Sequence, residues 1–470
     1  MKIVLLNGSP KGEDSITLQY AMYLQKMFPS IQWKIFHVSK KIKQLVKENT
    51  LFEEIINEID TADGVLWSTG VYVLAVPSQL MQFIELIENR GVQGIFKGKF
   101  SAVLTTSIHF YDHTAHNYLR AISEDLGMNY VDGISLYLNE FTKKDSRKQL
   151  LIFLQNFINT ISQKQLKSKL FFPLNFNDFT YEPESCHEKF DNKDQKIVVL
   201  TLKHDNHTNL GKMITRFKDS FLHEIRILEI DEIQIKGGCL GCMQCGYDYN
   251  CTYNDEFKDF YNNQVRPADI IIFAAEVKGR YLSWKWKRFY DRAFFWNHTP
   301  SLSDRQIGFL VSGPISQDHN LIQILEASST ARQDANHTEI ISDECANSHS
   351  LDSLISNFAR NLLFFSKNKY VKPQNFLGVG GQKIFRDDIW GSLRMIWQAD
   401  HKFYRKHGKY DFPQKKVLLR FMSNIMLLLT KIPSFRKKFY AKIKKMPAKR
   451  LEKMVDKSVN KDKKDFSIIS

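Results

Sequence analysis

The chain has 470 residues, of which 43% are hydrophobic and 13% aromatic, and its formal net charge is +15. This length exceeds the size at which one hydrophobic core usually keeps growing, so we expect two or three domains. The apolar content excludes a generally disordered chain. The charge is uneven, because residues 402–470 hold 21 Lys and Arg against 5 Asp and Glu. An anionic partner is therefore predicted for the C-terminal tail.

Export and membrane insertion are not predicted. The opening MKIVLLNGSP has an apolar run of only four residues before Asn7, which is too short for a secretory signal. The stretch 417–430 has 14 residues and contains Arg420, whereas a membrane span requires roughly 20 apolar residues. Four of the six cysteines lie within 13 residues, unlike the scattered cysteines of disulfide-rich secreted proteins. We therefore expect a cytoplasmic protein.

The first predicted element is a short buried strand, KIVLL, followed by the loop NGSPKGEDSIT. Ligands of open parallel sheets bind outside the carboxyl ends of the strands, so this loop is a candidate site. Ser9, Ser15 and Thr17 offer hydroxyls, Lys11 offers a positive charge, and the following helix presents free backbone N–H groups. This composition predicts a phosphate-binding loop, although it is neither G-x-G-x-x-G nor G-x-x-x-x-G-K-[ST]. A helix-capping turn without a ligand is the alternative.

Two more strands of the first half end in candidate loops. The strand in ADGVLWSTGVYV is followed by a helical pattern, SQLMQFIELIEN, and the next strand is SAVLTTS. Because each strand's following loop lies at the ligand-binding edge of a parallel sheet, we expect these loops to join the first one.

The second half of the chain repeats the first. KIVVLTLKHDN, from Lys196, matches the opening at an offset of 194 residues, and ADIIIFAAEVKG and IGFLVSG match the later strands at an offset of 206. In both halves, short Val, Ile, Leu and Phe runs alternate with helical patterns, which is typical of parallel strands buried on both faces. The sequence therefore predicts an α/β protein with two tandem doubly wound parallel-sheet domains.

We predict four segments. Residues 1–164 form the first domain, 165–195 an irregular linker, 196–370 the second domain, and 371–470 a basic helical extension. In that extension, NFLGVGGQ predicts a Gly-rich turn before an amphipathic helix. In the second domain, the loop TLKHDNHTNLG lacks the Gly-Ser-Pro element, so Thr208 and Asn209 are predicted to cap a helix.

The change of offset coincides with an insertion of about a dozen residues that contains GGCLGCMQCGYDYNC. Its four cysteines, with the spacing C-x2-C-x2-C-x5-C, are Cys239, Cys242, Cys245 and Cys251. Three cysteines spaced by two residues wrap a loop around a compact iron–sulfur cube, and the fourth closes the site, so we predict a 4Fe–4S cluster. A zinc ion is the strongest rival, although structural zinc sites usually pair two halves across a longer stretch. Thiols without a metal are the third alternative.

The first loop, G-S-P-x-x-x-x-S-x-T from Gly8 to Thr17, resembles that of the flavodoxin-like NAD(P)H-dependent FMN reductases. The resemblance implies two flavodoxin-like domains, with the FMN phosphate at this loop of the first. It also implies that Gly70, Val71 and Tyr72 face the flavin ring and that Thr105, Thr106 and Ser107 close its other side. The cysteine loop is similar to that of iron–sulfur flavoproteins, a branch of the same group. The family's K-x-F-x-D-R motif is MQFIEL in the first copy and KRFYDR in the second.

This resemblance predicts an NAD(P)H-dependent FMN oxidoreductase that passes electrons from flavin to the cluster and on to an unknown acceptor. A non-catalytic electron carrier or redox-sensing module that docks on a membrane partner is the alternative. In another alternative, the second domain is a degenerate structural copy of the first and its cysteines bind zinc. Members of this group are often dimers, so a homodimer could bring the cluster to the flavin of another subunit.

The basic tail, KIPSFRKKFYAKIKKMPAKRLEKM, interleaves Lys and Arg with aromatic and aliphatic residues. Such a segment suits the surface of an anionic membrane, which would make the protein peripheral there. The alternative is a solvated helix that covers the second domain. Nucleic acid is disfavoured as a partner because no recognition motif accompanies the charge. His298 is an acid–base candidate only if it faces the cofactor.

Overall fold

Two five-stranded parallel sheets form the framework of the protein, in a computed structural model that describes residues 1–330, 335–410, 416–443 and 445–465. The strands are β1 Lys2–Asn7, β2 Gln32–Phe36, β3 Gly64–Gly70, β4 Phe100–Thr106, β5 Asn129–Leu136, β6 Ile197–Thr201, β7 Arg226–Glu229, β8 Ile270–Glu276, β9 Gln306–Ser312 and β10 Asn336–Ser342. Their orders, β2-β1-β3-β4-β5 and β7-β6-β8-β9-β10, are the same. This order is the flavodoxin-like doubly wound arrangement, so the predicted fold class is confirmed.

Helices flank both sheets and continue beyond them. They are α1 Ile16–Met27, α2 Ile42–Lys47, α3 Asn49–Asp60, α4 Ser78–Asn89, α5 Asp112–Asp125, α6 Lys144–Ser162, α7 Asn209–Asp219, α8 Phe257–Phe260, α9 Trp284–Ala293, α10 His319–Thr330 and α11 Ser348–Lys367. The C-terminal extension adds α12 Phe376–Trp390, α13 Gln398–Lys406, α14 Val417–Leu429, α15 Pro433–Ile443 and α16 Met446–Asp465. The apolar strands β1 and β8 are buried along nearly their whole length, as expected for strands covered on both faces.

The two domains pack through equivalent helices, α4 and α9. The Ser78 N–H at the start of α4 donates to Asp291 Oδ2 (2.8 Å), and the Trp284 N–H at the start of α9 donates to Glu85 Oε1. Ser78 and Trp284 are 206 residues apart, and so are Glu85 and Asp291, which is the offset of the sequence repeat. The contacts are therefore reciprocal, as in a twofold-symmetric pair. One apolar cluster, including Trp67 and Phe83 of the first domain and Trp286 and Phe289 of the second, continues across the interface.

Residues 165–195 contain no helix or strand, apart from one bridge between Phe190 and Phe221. This linker packs on the start of α7. The Asn209 side chain accepts from the N–H of buried Tyr181 (2.8 Å) and donates to the carbonyl of Phe179 (2.8 Å). The Thr208 hydroxyl caps the helix by accepting from Gly211 N–H (3.2 Å). The linker therefore lies at the start of α7 in the second domain. The equivalent position in the first domain, at the start of α1, is that of the candidate phosphate loop.

Most described residues of the extension 371–470 belong to helices α12 to α16, and its Gly-rich segment is not a turn. Gly378 and Gly381 lie inside α12, whose start is capped by the Asn375 side chain, 3.1 Å from Gly378 N. A Cβ atom at Gly381 would lie 2.2 Å from the Phe110 ring, so glycine allows α12 to pack closely on the first domain. The prediction of a turn at this segment was wrong, because capping and packing outweighed the low helix propensity of glycine.

The last helix, α16, packs on the first domain and not on the second. Its Leu451, Val455 and Val459 join the apolar cluster beneath α1, and Lys26 of α1 forms an ion pair with Asp456. Earlier parts of the tail pack on the second domain, since Phe439, Tyr440 and Ile443 share an apolar cluster with Cys245, Tyr247 and Phe294.

Among the described residues, no helix has both the length and the apolar character needed to cross a bilayer.

Candidate functional site

The loop after β1 is organised by the Asn7 side chain. Its Oδ1 accepts from Ser9 N–H (3.1 Å) and its Nδ2 donates to Gly12 O (3.0 Å), which fixes the turn. The Ser15 hydroxyl caps α1 by accepting from Leu18 N–H (3.4 Å). The first N–H groups of an α-helix generally lack an intrahelical acceptor, and the start of α1 lies directly after this loop. This geometry suits an anion such as a phosphate.

A cavity of about 410 Å³ opens beside this loop. Nine of the ten predicted flavin-site residues line it, namely Ser9, Lys11, Ser15, Thr17, Gly70, Val71, Tyr72, Thr106 and Ser107. Thr105 lies outside the cavity lining and is buried, with its hydroxyl 2.7 Å from His116 Nε2. Successive side chains of a strand point to opposite faces, so Thr106 and not Thr105 reaches the site, where its hydroxyl is 2.6 Å from that of Thr17.

The loop after β3 is held by the second domain. The buried ammonium group of Lys287 donates to the carbonyl of Tyr72 (2.9 Å) and forms an ion pair with buried Asp291. Arg292 donates to the carbonyl of Gly237 (3.0 Å) and forms a bidentate pair with Asp255 (2.8 Å for both bonds). The KRFYDR segment therefore connects the loop after β3 of the first domain to the cysteine loop of the second.

All four cysteines of the insertion line the same cavity as the phosphate loop. The six cysteines of the chain lie in the described ranges and are free thiols. Gln79 of the first domain donates to the carbonyl of Cys239 (3.1 Å). Gly241 has a φ of +61°, and a Cβ atom there would lie 2.1 Å from the Tyr72 hydroxyl and 2.9 Å from Lys11 Cε. The structure thus brings together two candidate sites that are more than 130 residues apart in sequence.

The surroundings of the thiols are apolar, with a few donors and cations. Burial raises the pKa of the Cys239 thiol to about 12 and that of Cys245 well above its ordinary value. The Gly241 N–H points at Cys239 Sγ (3.4 Å). Burial also raises the pKa of Cys242, whereas the nearby positive charge of Lys11 lowers it. Deprotonated thiols would need compensating charge, which a bound metal centre supplies.

The C-terminal extension closes the cavity over the cysteine loop. Its cavity-lining residues are Phe385, Leu393, Ile396, Trp397 and Tyr404. The Asn297 side chain of the second domain donates to the carbonyl of Cys245 (2.9 Å), below this cover. The sequence analysis missed these tail residues, since only the basic charge of the tail was read as functional.

His298 lies in the wall of this cavity and stays an acid–base candidate. Its Nδ1 is 2.7 Å from Oδ2 of Asp400, a fully buried residue of α13 whose pKa burial raises. The Phe385 ring stacks at 3.9 Å between centroids, and the Tyr404 hydroxyl donates to the His298 carbonyl (3.0 Å). The tail therefore orients this imidazole.

Within the described residues, no three His, Cys, Asp or Glu side chains are arranged to hold one metal ion. The four cysteines share a cavity without converging on a single point.

The first domain matches a known protein family over most of its length. Residues 1–143 match the family model of NADPH-dependent FMN reductases. The first domain is an FMN-reductase-type flavodoxin-like domain. The family predicted from the G-S-P loop is thereby confirmed for this domain, and it supports an NAD(P)H-dependent FMN oxidoreductase. No sequence match was found among curated proteins.

Solved flavoenzyme structures are similar to about a third of the chain. An NADH:FMN oxidoreductase, EMOB, in its apo form has 23% identity, covers 36% of this chain and 91% of its own, and gives a TM-score of 0.30. The flavoenzyme NAD(P)H:(acceptor) oxidoreductase FerB from Paracoccus denitrificans has 19% identity, coverages of 34% and 97%, and a TM-score of 0.30. General stress protein 14 from Treponema denticola, in complex with FMN, has 12% identity, coverages of 35% and 99%, and a TM-score of 0.26.

Proposed function

We propose that the protein is an NAD(P)H-dependent FMN oxidoreductase that passes electrons from flavin in the first domain to a 4Fe–4S cluster at the cysteine loop of the second. The final acceptor is a separate molecule. One observation carries the proposal: the phosphate loop and all four cysteines line one cavity. When bound, FMN takes a hydride from the nicotinamide and can release two electrons singly, which suits a one-electron cluster.

The residues of the first domain fit FMN. Buried Ser9, Lys11, Ser15 and Thr17 offer hydroxyls and a positive charge at the start of α1, which is where a phosphate binds well. Gly70, Val71 and Tyr72 provide an apolar wall beside them. We propose that this wall faces the flavin ring and that Thr106 and Ser107 lie along its other side.

The cysteine loop fits an iron–sulfur cluster better than a single zinc ion. A tetrahedral zinc site draws four thiolates to about 2.3 Å from one ion, and structural zinc sites usually pair two halves across a longer stretch, whereas the four cysteines here fall within 13 residues. Each iron of a 4Fe–4S cluster takes its own thiolate, so the ligands lie farther apart. The backbone donor at Gly241 and the positive charges of Lys11 and Arg292 suit the negative charge of such a centre.

Anaerobic purification tests the cluster. Iron, zinc and flavin are quantified in the wild type and in Cys239→Ala and Cys245→Ala, with Cys345→Ala, outside the cavity, as the matched control. We expect about four irons and one FMN per chain in the wild type and in the control. The cavity variants should lose the iron and keep the FMN. A flavin-containing protein without iron, or with one zinc, would contradict the cluster and leave the flavin domain standing.

The alternative is an electron carrier or redox sensor that holds flavin or cluster without turnover. Steady oxidation of NAD(P)H with an added soluble acceptor separates the two functions, because a carrier binds its cofactors and shows no sustained turnover. The site holds one feature that favours an enzyme. The His298 and Asp400 pair offers a positioned imidazole at the cavity wall, beside the proposed redox centres.

We further propose that the protein works in the cytoplasm, where the six thiols stay reduced, and peripherally at an anionic membrane surface. The contact of the cysteine loop with the flavin domain occurs within one chain, so electron transfer does not require a partner subunit. A homodimer remains a separate prediction from the family resemblance.

A further inference from the structure

Helix α14 has its polar side toward the protein and its apolar side outward. The Ser423 hydroxyl donates to the carbonyl of Gly391 (3.5 Å), and Asn424 Oδ1 accepts from Arg394 Nη1 (2.9 Å). Thr430, just after the helix, accepts from buried Gln398 Nε2 (2.9 Å). A surface helix of a globular protein normally shows the reverse arrangement.

The outward side forms a continuous apolar surface, which we call the α14 face. It consists of Val417, Leu418, Leu419, Phe421, Met422, Ile425, Leu428, Leu429 and Ile432. Leu418 is 72% exposed, and Phe421 and Leu428 are each 63% exposed. An exposed apolar patch of this kind marks an interaction site.

The segment that contains the α14 face carries charge of one sign. Residues 416–451 contain eleven Lys and Arg and no Asp or Glu. Lys431 is exposed in the turn after α14, and Lys437, Lys438 and Lys442 are exposed on α15. Apolar residues flanked by basic ones are the composition of helices that lie in the interface of an anionic bilayer.

We propose that the α14 face inserts into the headgroup region of an anionic lipid bilayer, while the lysines of α15 contact the lipid phosphates. This proposal specifies which surface makes the membrane contact of the proposed function. It rests on the proposed flavin chemistry only where it concerns electron transfer. The 13 residues of α14 extend about 20 Å, which suits a helix lying in the membrane plane.

A second copy of the chain fits the α14 face less well. In a symmetric dimer the same patch meets itself, so the basic residues of both copies would be brought together. Like charges at such an interface oppose association, whereas anionic lipids neutralise them.

The α14 face lies behind the wall of the candidate site. Arg394, which holds Asn424, belongs to the short turn Ser392–Met395, and the neighbouring Leu393 and Ile396 line the cavity. Docking through α14 would therefore place the cover of the cysteine loop at the membrane surface.

Co-sedimentation of the full chain with vesicles tests this proposal. Vesicles of phosphatidylcholine alone are compared with vesicles of phosphatidylcholine and phosphatidylglycerol at low and high salt. The apolar variant is Leu418→Ser/Phe421→Ser/Leu428→Ser, and its control is Leu166→Ser/Phe172→Ser/Leu222→Ser, which changes exposed residues elsewhere. The charge variant is Lys437→Glu/Lys438→Glu, with Lys148→Glu/Lys169→Glu as its control.

We expect the wild type and both controls to bind the anionic vesicles, and high salt to weaken that binding. The apolar variant should bind at least about tenfold more weakly, and each lysine lost should cost about fivefold. Failure of the wild type to bind, or unchanged binding by the apolar variant, would overturn the proposal. So would a wild-type dimer that the apolar variant splits into monomers, because a second copy would then cover the face.

Oxidation of NAD(P)H with a water-soluble acceptor is measured on every variant. Unchanged rates in the apolar and charge variants show that they are folded, since none of these residues lines the candidate site. If the wild type binds vesicles but does not oxidise NAD(P)H, the proposed enzymatic function is contradicted and the proposed membrane-docking surface is supported.

Discussion

Gly241 of the cysteine loop lies so close to Tyr72 of the first domain that a Cβ atom at position 241 would come within 2.1 Å of the tyrosine hydroxyl. The loop proposed to hold a cluster therefore touches the loop proposed to face the flavin ring. Lys11 of the phosphate loop is the next neighbour, at 2.9 Å. This contact joins the two halves of the proposed redox site within one chain.

The Gly241→Ala substitution should separate the two loops. The new methyl group would meet Tyr72 and Lys11, and the backbone has a φ of +61°, so we expect a loss of about 3 kcal/mol in unfolding free energy. Gly91→Ala is the control, because Gly91 has a φ of +67° with no atom within 4 Å of a new Cβ. The control should lose only about 1 kcal/mol in urea unfolding. Equal losses would mean that the contact with Tyr72 does not constrain the loop.

Removing the positive charge of the phosphate loop should weaken FMN binding. Lys11 lines the cavity and is largely buried, so Lys11→Ala removes a charge-assisted contact worth about 2 kcal/mol, or a factor of about 30 in Kd. Titration of the apoprotein with FMN, followed by flavin fluorescence, measures this change. Lys148→Ala, at an exposed position, should leave the Kd unaltered. The same Kd for FMN in both variants would show that Lys11 does not contribute to binding of the phosphate.

The domain interface should depend more on Asp291 than on its counterpart Glu85. Asp291→Asn leaves the fully buried ammonium group of Lys287 without its charged partner, which costs about 3 kcal/mol. Glu85→Gln should cost about 1 kcal/mol, because its ionic partner Lys278 is half-exposed. Urea unfolding of the full chain gives both values. The double variant Lys287→Met/Asp291→Leu should recover part of the stability, and a double variant worse than Asp291→Asn would refute this account.

The tail should loosen at acidic pH through His401. Burial, together with Arg394, Arg405 and Arg420, lowers the pKa of His401 to about 4. The folded pKa lies below the unfolded value of about 6.5, so the unfolded chain binds more protons between these values. Stability is therefore full above pH 6.5 and falls toward pH 4, by about 2 kcal/mol at pH 5 from this residue alone.

Unfolding monitored by tryptophan fluorescence at pH 7.5 and pH 5 checks this loss. His401→Gln should reduce it, because glutamine can keep the contact with the Tyr410 hydroxyl (2.9 Å in the native protein) without titrating. His407→Gln, at an exposed position, should leave the pH dependence as it is. The same loss in His401→Gln and the wild type would exclude His401 as its source.

The fold could be predicted because the strands and helices carry local patterns. Buried strands such as β1 and β8 appear as short apolar runs, and the repeat offset of 206 residues relates the interface residues Ser78 and Trp284. The candidate cavity was also largely predictable, since loops at the carboxyl ends of parallel strands share one edge. Thr105 was the exception, because only the alternation of side chains along β4 separates it from Thr106.

The assembly of the site could not be predicted, because its contacts cross domains and lack a local signal. Nothing near Cys239 in sequence indicates that its loop lies on Gln79, and the contact depends on how two whole domains pack. The pairing of His298 with Asp400 likewise joins residues 102 positions apart through the tail. The position of the tail over the cysteine loop was not predicted, because the basic charge was the only feature of the tail that indicated a function.

The most direct test of the central claim is anaerobic reduction by NAD(P)H, followed by absorption and electron paramagnetic resonance spectroscopy. The wild type should show both a bleached flavin and a reduced iron–sulfur signal. A Lys11→Ala/Ser15→Ala variant freed of FMN should give the iron–sulfur signal with dithionite and not with NAD(P)H. A wild type whose flavin is reduced by NAD(P)H while a dithionite-reducible cluster stays oxidised would contradict a shared electron path between the two halves of the cavity.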